Sequence, residues 1–236
     1  MITSIPQLRA VIDNATKALE NKFSGISGKR AMVICGGTGC LSSESHEIKE
    51  LLQKKLAEHQ LSDKVSVNHV GCFGFCSQGP FVKIFPEDTL YRLVKPSDVD
   101  EIIEKDIINH QLVERLLFVD PKTNEKVERQ DDINFYKKQI RIALHGCGVI
   151  NPEEIEEALG YGGYQGLLNA LSMSPQEVIQ VVTESGLRGR GGGGFLSGRK
   201  WQFAYNQKSE EKYVICKGDE GDPGAFMDRS MLEGNP

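Results

Sequence analysis

A chain of 236 residues, 39% hydrophobic and 26% charged, has room for one large or two small globular domains, and two is the better expectation. Its net charge of -5, with no stretch gathering Lys and Arg around aromatics, excludes the electrostatic footprint of a nucleic-acid binder. Nowhere do about 18 apolar residues follow one another, so no transmembrane segment is expected. The N-terminus lacks the pattern of a signal peptide. A reducing, cytoplasmic setting is therefore expected, in which six cysteines argue for metal or redox chemistry rather than a disulfide framework.

The opening stretch MITSIPQLRAVIDNATKAL places Leu8, Val11, Ile12, Ala15 and Leu19 at helical spacing, so residues 1–28 are expected as an N-terminal helix. From 29 to 110 short β-rich runs alternate with helices: RAMVIC, SSESHEIKELLQKKLAEH, KVSVNHV, FVKIF, TLYRLV and PSDVDEIIEKDII. Ile48, Leu51, Leu52 and Leu56 share one face of the first of these helices, and Pro96 with Ser97 or Asp98 starts the last one. This is an α/β domain, and strand, helix, strand, hairpin and closing helix suit a thioredoxin-like arrangement, although other small α/β folds share the pattern. Residues 111–134 are polar apart from LLFV and contain a turn at Asp120–Thr123; they are expected as a linker.

Beyond it, residues 135–236 begin as a helical segment. Asn151-Pro152-Glu153-Glu154 and Ser174-Pro175-Gln176-Glu177 each offer an N-cap, a first-turn proline and a glutamate at the third helical position. The second of these helices carries Val178, Ile179, Val181 and Val182. A glycine-rich loop, a short amphipathic piece (WQFAY) and a strand (YVIC) follow.

Cys35 and Cys40 form C-x4-C directly after one strand, and Cys72 and Cys76 form C-x3-C directly after another. A 2Fe-2S cluster needs four thiolates from loops that wrap closely round inorganic sulfide, and Gly36, Gly37, Gly39, Gly71, Gly74 and Gly79 let backbone approach it. A structural zinc site, which usually uses C-x2-C knuckles, and plain thiols or disulfides are the competing readings. Cys147 and Cys216 have no partner at ligand spacing and read as plain thiols, and none of the five histidines is given a role.

At CGGTGC and HVGCFGFCSQGPFVKIFPEDTLYRLV, over about residues 29 to 108, the chain resembles the N-terminal ferredoxin domain of the flavin-carrying, NAD(P)H-oxidising subunit of multisubunit hydrogenases (electron-bifurcating or NADP-reducing) and formate dehydrogenases. The resemblance implies a thioredoxin-like 2Fe-2S ferredoxin domain.

GLRGRGGGGF contains a literal G-x-G-x-x-G at Gly189, Gly191 and Gly194, but a capped helix precedes it where a dinucleotide-binding fingerprint requires a strand. Successive glycine N–H groups beside Arg188, Arg190, Arg199 and Lys200 can hold a phosphate; a flexible linker is the plain alternative. Downstream, Asp219, Glu220 and Asp222 lie on a loop with Gly221, Pro223 and Gly224, either as hydrogen-bond acceptors for a cofactor or as a solvated turn.

Together SGLRGRGGGGF, GRKW and DEGDPGAFMDR resemble the start of the FMN- and NADH-binding domain that this hydrogenase subunit shares with the flavoprotein subunit of respiratory complex I. By motif position the resemblance implies that Gly189, Arg190, Gly191, Lys200 and Asp219 face FMN, while Phe195, Phe203, Glu220 and Asp222 line the NADH side. Two positions depart from the family. Phe195-Leu196-Ser197-Gly198 stands where it usually has Phe-Pro-Thr-Gly, and Lys217-Gly218 where it has Asn-Ala; the second change leaves the flavin contact there open.

The family continues past Gly234-Asn235-Pro236 through the rest of the flavin domain to a 4Fe-4S domain, so residues 135–236 are expected to be the incomplete start of an α/β FMN-binding domain. A fragment, a truncated gene product and half of a split subunit all suit that. The implied function is electron transfer between NAD(P)H, FMN and iron–sulfur clusters, with other iron–sulfur subunits of a soluble hydrogenase or dehydrogenase complex as partners. A stand-alone 2Fe-2S electron-transfer or assembly module without catalytic flavin is the alternative. A complex I flavoprotein subunit ranks third. With YVIC short of strand neighbours, the flavin half is expected to be the less ordered, and protease is expected to cut first after about residue 110.

Overall fold

The computed structural model describes residues 2–235; Met1 and Pro236, the last residue of the Gly-Asn-Pro ending, lie outside them. The chain divides into two compact units, Ile12–Tyr161 with Asp219–Pro236, and Met1–Val11 with Gly162–Gly218.

The expected N-terminal helix is α1 (Ile5–Ser24), in which Leu8, Ile12, Ala15 and Leu19 are buried, as their spacing requires. β1 (Arg30–Cys35) follows, then a single turn α2 (Thr38–Leu41), the crossover helix α3 (Ser45–Glu58) and β2 (Val65–Val70). β3 (Val82–Phe85) and β4 (Thr89–Tyr91) form a hairpin, and α4 (Val99–Glu101) runs on as a π-helical stretch, Ile102–Ile108. The sheet order is β2-β1-β3-β4, with β1 parallel to β2 and antiparallel to β3. β1 is buried along almost all its length because the sheet is covered on both faces. Met32 and Ile34 point into a core with Ile48, Leu52, Ile102 and Ile103, whereas Val33 and Cys35 point into a second core with Val70, Phe73, Phe81 and Tyr136.

One polar knot lies at the edge of the first core. The buried Asp106 carboxylate accepts hydrogen bonds from Arg30 Nη2 (2.5 Å) and the Tyr91 hydroxyl (2.5 Å), and that hydroxyl accepts one from Val113 N (3.1 Å). Burial and the Asp106 carboxylate push the Tyr91 phenol well above its usual range, so it stays a neutral donor.

Residues 111–134, expected as a linker, fold against the edge of the four-stranded sheet through isolated bridges at Thr89–Arg129 and Tyr91–Leu117. β5 (Phe118–Val119) and β6 (Lys126–Val127) pair as a small hairpin. Leu90 N donates to Glu128 O (2.8 Å) and Arg92 N to Leu116 O (2.9 Å), so the free edge of β4 is covered, and Leu116 and Leu117 of the apolar run enter the first core. α5 (Asn134–Lys137) then brings Ile133 and Tyr136 onto the second core.

The helix expected at Asn151 begins later, as α6 (Ile155–Gly160). Glu157 Oε2 accepts from Asn151 N (2.8 Å) and Asn151 Oδ1 from Glu153 N (3.2 Å), so this stretch is a turn leading into the helix rather than its first turn. In the smaller unit, α7 (Gln165–Ala170) precedes α8 (Pro175–Glu184), whose capping box at Ser174 and Glu177 is present as expected: Glu177 N donates to Ser174 Oγ (3.3 Å) and Ser174 N to Glu177 Oε2 (2.7 Å). α9 (Ser197–Asn206) packs on α8 where Gly198 meets the Thr183 backbone; α10 (Met227–Gly234) belongs to the larger unit.

YVIC, expected as a strand, is not one. Residues 207–218 have no regular structure, and Tyr213, Val214 and Ile215 are between 79% and 102% exposed. Among the described residues no strand pairs with this stretch, and an isolated strand gains nothing from its apolar side chains.

Replacing Asp106 with Ala removes the buried acceptor of the Tyr91 hydroxyl and leaves the Arg30 guanidinium with only the Glu87 carboxylate (3.1 Å) and the residue-106 carbonyl, and should cost about 3 kcal/mol in urea unfolding. Trypsin should cut first at Lys208, Lys212 or Lys217; a first cut within 111–134 would contradict the packing of the β5–β6 hairpin on the sheet.

Candidate metal centre

Because β1 and β2 are parallel and in register from Arg30↔Val65 to Cys35↔Val70, the loops that follow them leave the same end of the sheet. Gly36 N donates to Val70 O (2.8 Å), which ties the two loop bases together. The turn α2, closed by Cys40 N to Gly37 O (2.9 Å), swings Cys40 back toward Cys35. On the second loop Gly74 takes φ +80° and donates its N–H to Cys72 Sγ (3.3 Å).

All four cysteines of the two pairs converge. The Cys35 thiol interacts with those of Cys40 and Cys72, and the Cys72 thiol with that of Cys76. Cys35 and Cys40 are buried, Cys72 is half-buried and Cys76 is exposed. Crowding governs their ionisation. The neighbouring Cys40 sulfur, with burial, pushes Cys35 up to about 12, and Cys35 with burial pushes Cys72 higher still. Burial raises Cys76, while the Cys35 thiol donates toward Cys40 and lowers it. Left to itself, then, this set resists carrying four negative charges, and cations between the sulfurs would remove that resistance.

The surroundings fit such an occupant. A Cβ on Gly37 would stand 2.9 Å from Cys72 Sγ, and one on Gly79 2.5 Å from Cys40 Sγ, so only glycine lets these sulfurs come so near the backbone. Backbone amides of Phe73 and Phe81 favour the thiolates of Cys35 and Cys40. Among the described residues no group of three or more His, Cys, Asp or Glu has the arrangement for a lone metal ion. The four thiols act on one another in pairs, Cys40 with Cys35, Cys35 with Cys72 and Cys72 with Cys76. A cavity of about 310 Å³ opens beside them, bounded by Thr38, Cys72 and Cys76 on one side and by Phe226, Arg229 and Glu233 on the other.

The glycine loop lies in the smaller unit. Gly189 N donates to Phe195 O (2.8 Å), Ser197 N to Leu187 O (2.9 Å) and Arg188 Nη1 to Gly194 O (3.1 Å), which closes residues 187–197 into a ring of backbone just before α9. Arg190 and Gly191 are exposed on that ring and Lys200 is exposed on α9. The Phe195 and Phe203 rings lie 6.4 Å apart, both about half exposed. Asp219, Glu220 and Asp222 belong to the larger unit, where Glu220 caps α10 by accepting from Met227 N (2.6 Å) and Arg229 N (3.2 Å).

Residues 23–106 match the family described as thioredoxin-like [2Fe-2S] ferredoxin. Over 77 residues the chain is 47% identical to a 2Fe-2S ferredoxin of Clostridium pasteurianum, covering 33% of this chain and 76% of that protein. The chain belongs to the thioredoxin-like [2Fe-2S] ferredoxins. Beyond the ferredoxin domain, residues 182–236 match the Nuo51 FMN-binding domain. The chain is also 53% identical over 100 residues to the NADP-reducing hydrogenase subunit HndC of Solidesulfovibrio fructosivorans, covering 42% of this chain and 20% of that subunit. It is 25% identical over 225 residues to the alpha subunit of the NAD-reducing hydrogenase HoxS of Cupriavidus necator, covering 89% of this chain and 33% of that subunit. It thus spans between a fifth and a third of the length of these hydrogenase subunits.

Three residues outside the sequence motifs close round the cysteine-bearing loops of the ferredoxin domain. Arg141 donates Nη2 to Phe73 O and Nη1 to Cys147 O (3.2 Å), and its guanidinium lies 5.5 Å from the Tyr136 ring centre. Cys147 is buried; its thiol donates to Ser230 O (3.6 Å) and accepts from the Cys72 amide. Tyr136 is buried in the same core as Cys35 and Cys40. Only the isolated cysteine in HGCG could have drawn attention to this segment. Among the described residues no helix is long and apolar enough to cross a membrane. Gly79→Ala should overpack the Cys40 sulfur and cost about 1–3 kcal/mol, seen as a lower urea midpoint at unchanged slope.

Proposed function

We propose that this chain carries electrons between NAD(P)H, FMN and iron–sulfur clusters inside a cytoplasmic, NAD(P)-linked hydrogenase or dehydrogenase complex, with Cys35, Cys40, Cys72 and Cys76 holding a 2Fe-2S cluster. The observation that carries the reading is the convergence of these four thiols at one sheet end, in a glycine cradle that no side chain could share. The FMN-binding match and the hydrogenase relatives support the rest of it.

A bound FMN would supply a hydride acceptor that can release electrons singly, and a bound 2Fe-2S cluster a one-electron carrier. In the ferredoxin half, the amides of Phe73, Gly74 and Phe81 hold negative charge on the thiolates, and burial of Cys35 and Cys40 keeps water from that side. In the other half, Gly189 and Gly191 offer backbone to a phosphate that Arg190 and Lys200 neutralise. On the larger unit the family motif assigns Asp219 to accept from the flavin and Glu220 and Asp222 to the nicotinamide dinucleotide; on the smaller unit it assigns Phe195 and Phe203 to the same dinucleotide. Glu220 already accepts from the N-terminal amides of α10, so binding there would exchange those bonds or share them. Other iron–sulfur subunits of the complex are the electron partners.

Protein purified without oxygen should contain about two irons and two labile sulfides per chain and give a paramagnetic signal on reduction. Cys72→Ser or Cys76→Ser should lose or distort the signal, and Cys147→Ser should keep it. One zinc and no labile sulfide would refute the assignment.

A further inference from the structure

Tyr136 lies outside the stretch matched to the ferredoxin family, on the short helix α5. It is 7% exposed, and its hydroxyl is fully buried with no hydrogen-bond partner. A buried O–H without an acceptor costs free energy that a phenylalanine would not incur, so a native structure keeps one where something accepts it. The ring is held firmly: it packs edge-on to Phe75 (6.1 Å) and to Phe135 (5.2 Å), and Arg141 covers it. Phe75 and Phe73 belong to the loop between Cys72 and Cys76, and Arg141 grips that loop at the Phe73 carbonyl. Tyr136 thus shares a core with Cys35, Cys40 and Phe73.

From this we infer that Tyr136 is a hydrogen-bond donor to a sulfur of the bound 2Fe-2S cluster, and that the segment from Ile133 to Arg141 is a cap that raises the reduction potential of the ferredoxin domain. The inference rests on the cluster assignment proposed above. Reduction adds negative charge to the cluster, so a donor to sulfur and a nearby guanidinium both stabilise the reduced form. The phenol also closes one side of the cluster to water.

The test is a redox titration of the full chain in its cluster-bound form, parent against Tyr136→Phe, with iron and sulfide measured in both. Iron and sulfide should be unchanged, and the reduced-to-oxidised ratio at fixed potential should fall about tenfold, which is ~59 mV in the midpoint of a one-electron couple. Should Tyr136→Phe fail to fold, 3-fluorotyrosine placed at position 136 keeps the shape and makes a stronger donor; the midpoint should then rise. A midpoint that stays at the parent value in whichever of these proteins carries the cluster overturns the inference. If the parent itself binds no 2Fe-2S cluster, it is the cluster assignment that falls, and this inference with it.

Discussion

Parallel pairing of β1 with β2 is the constraint on which the centre depends. Two parallel strands in register end together, so the loops after Cys35 and Val70 start side by side and their cysteines need only one short turn each to meet. Strand alternation fixes the face: Val33 and Cys35 look one way, Met32 and Ile34 the other. A slip of one residue would send Cys35 into the helix-covered core and Ile34 into the centre. The apolar run of β1, buried on both faces, therefore sets the register of a polar site at its end.

Holding four sulfurs together conflicts with their charge, and the fold compensates from several directions. Crowding raises Cys35 and Cys72, while amides of the cysteine-bearing loops pull toward the thiolate. Those amides are fixed because the loops are fixed: Gly36 to Val70, Arg141 to Phe73, and the β5–β6 hairpin against β4. The Asp106 knot does a comparable task at a distance, joining β1, β4, the π-helical stretch and the start of the covering segment through one carboxylate. The cysteine loops are thus held by parts of the chain as far as Arg141, beyond the stretch 23–106 that matches the family.

What the sequence makes legible follows from how local each signal is. RAMVIC, KVSVNHV, FVKIF and TLYRLV announce the four-stranded sheet through short apolar runs, and Ser174-Pro175-Gln176-Glu177 announces α8 through contacts three residues apart. The paired cysteines are legible for the same reason. Tyr136 and Arg141 are not, since their meaning depends on contact with a loop some 60 residues earlier, and nothing in NFYKKQIR signals it. Residues 111–134 look like a linker because their strands are two residues long, too short to alternate. YVIC misleads in the opposite sense: its composition suits a strand, but a strand exists only with neighbours.

The two sets of glycines answer different demands. Gly37 and Gly79 are required by sulfur atoms of the same chain, which a Cβ would strike. In the loop 189–194, Gly192 and Gly194 are explained by positive φ, but a Cβ at Gly191 or Gly193 would meet nothing within 4 Å. Neither protein packing nor backbone conformation requires glycine at those two positions. Under the proposed function, that open space is where a phosphate cradled by N–H groups beside Arg190 and Lys200 would approach the backbone. The same residue type thus marks a place the chain fills with its own sulfurs in one loop and an open, exposed backbone in the other.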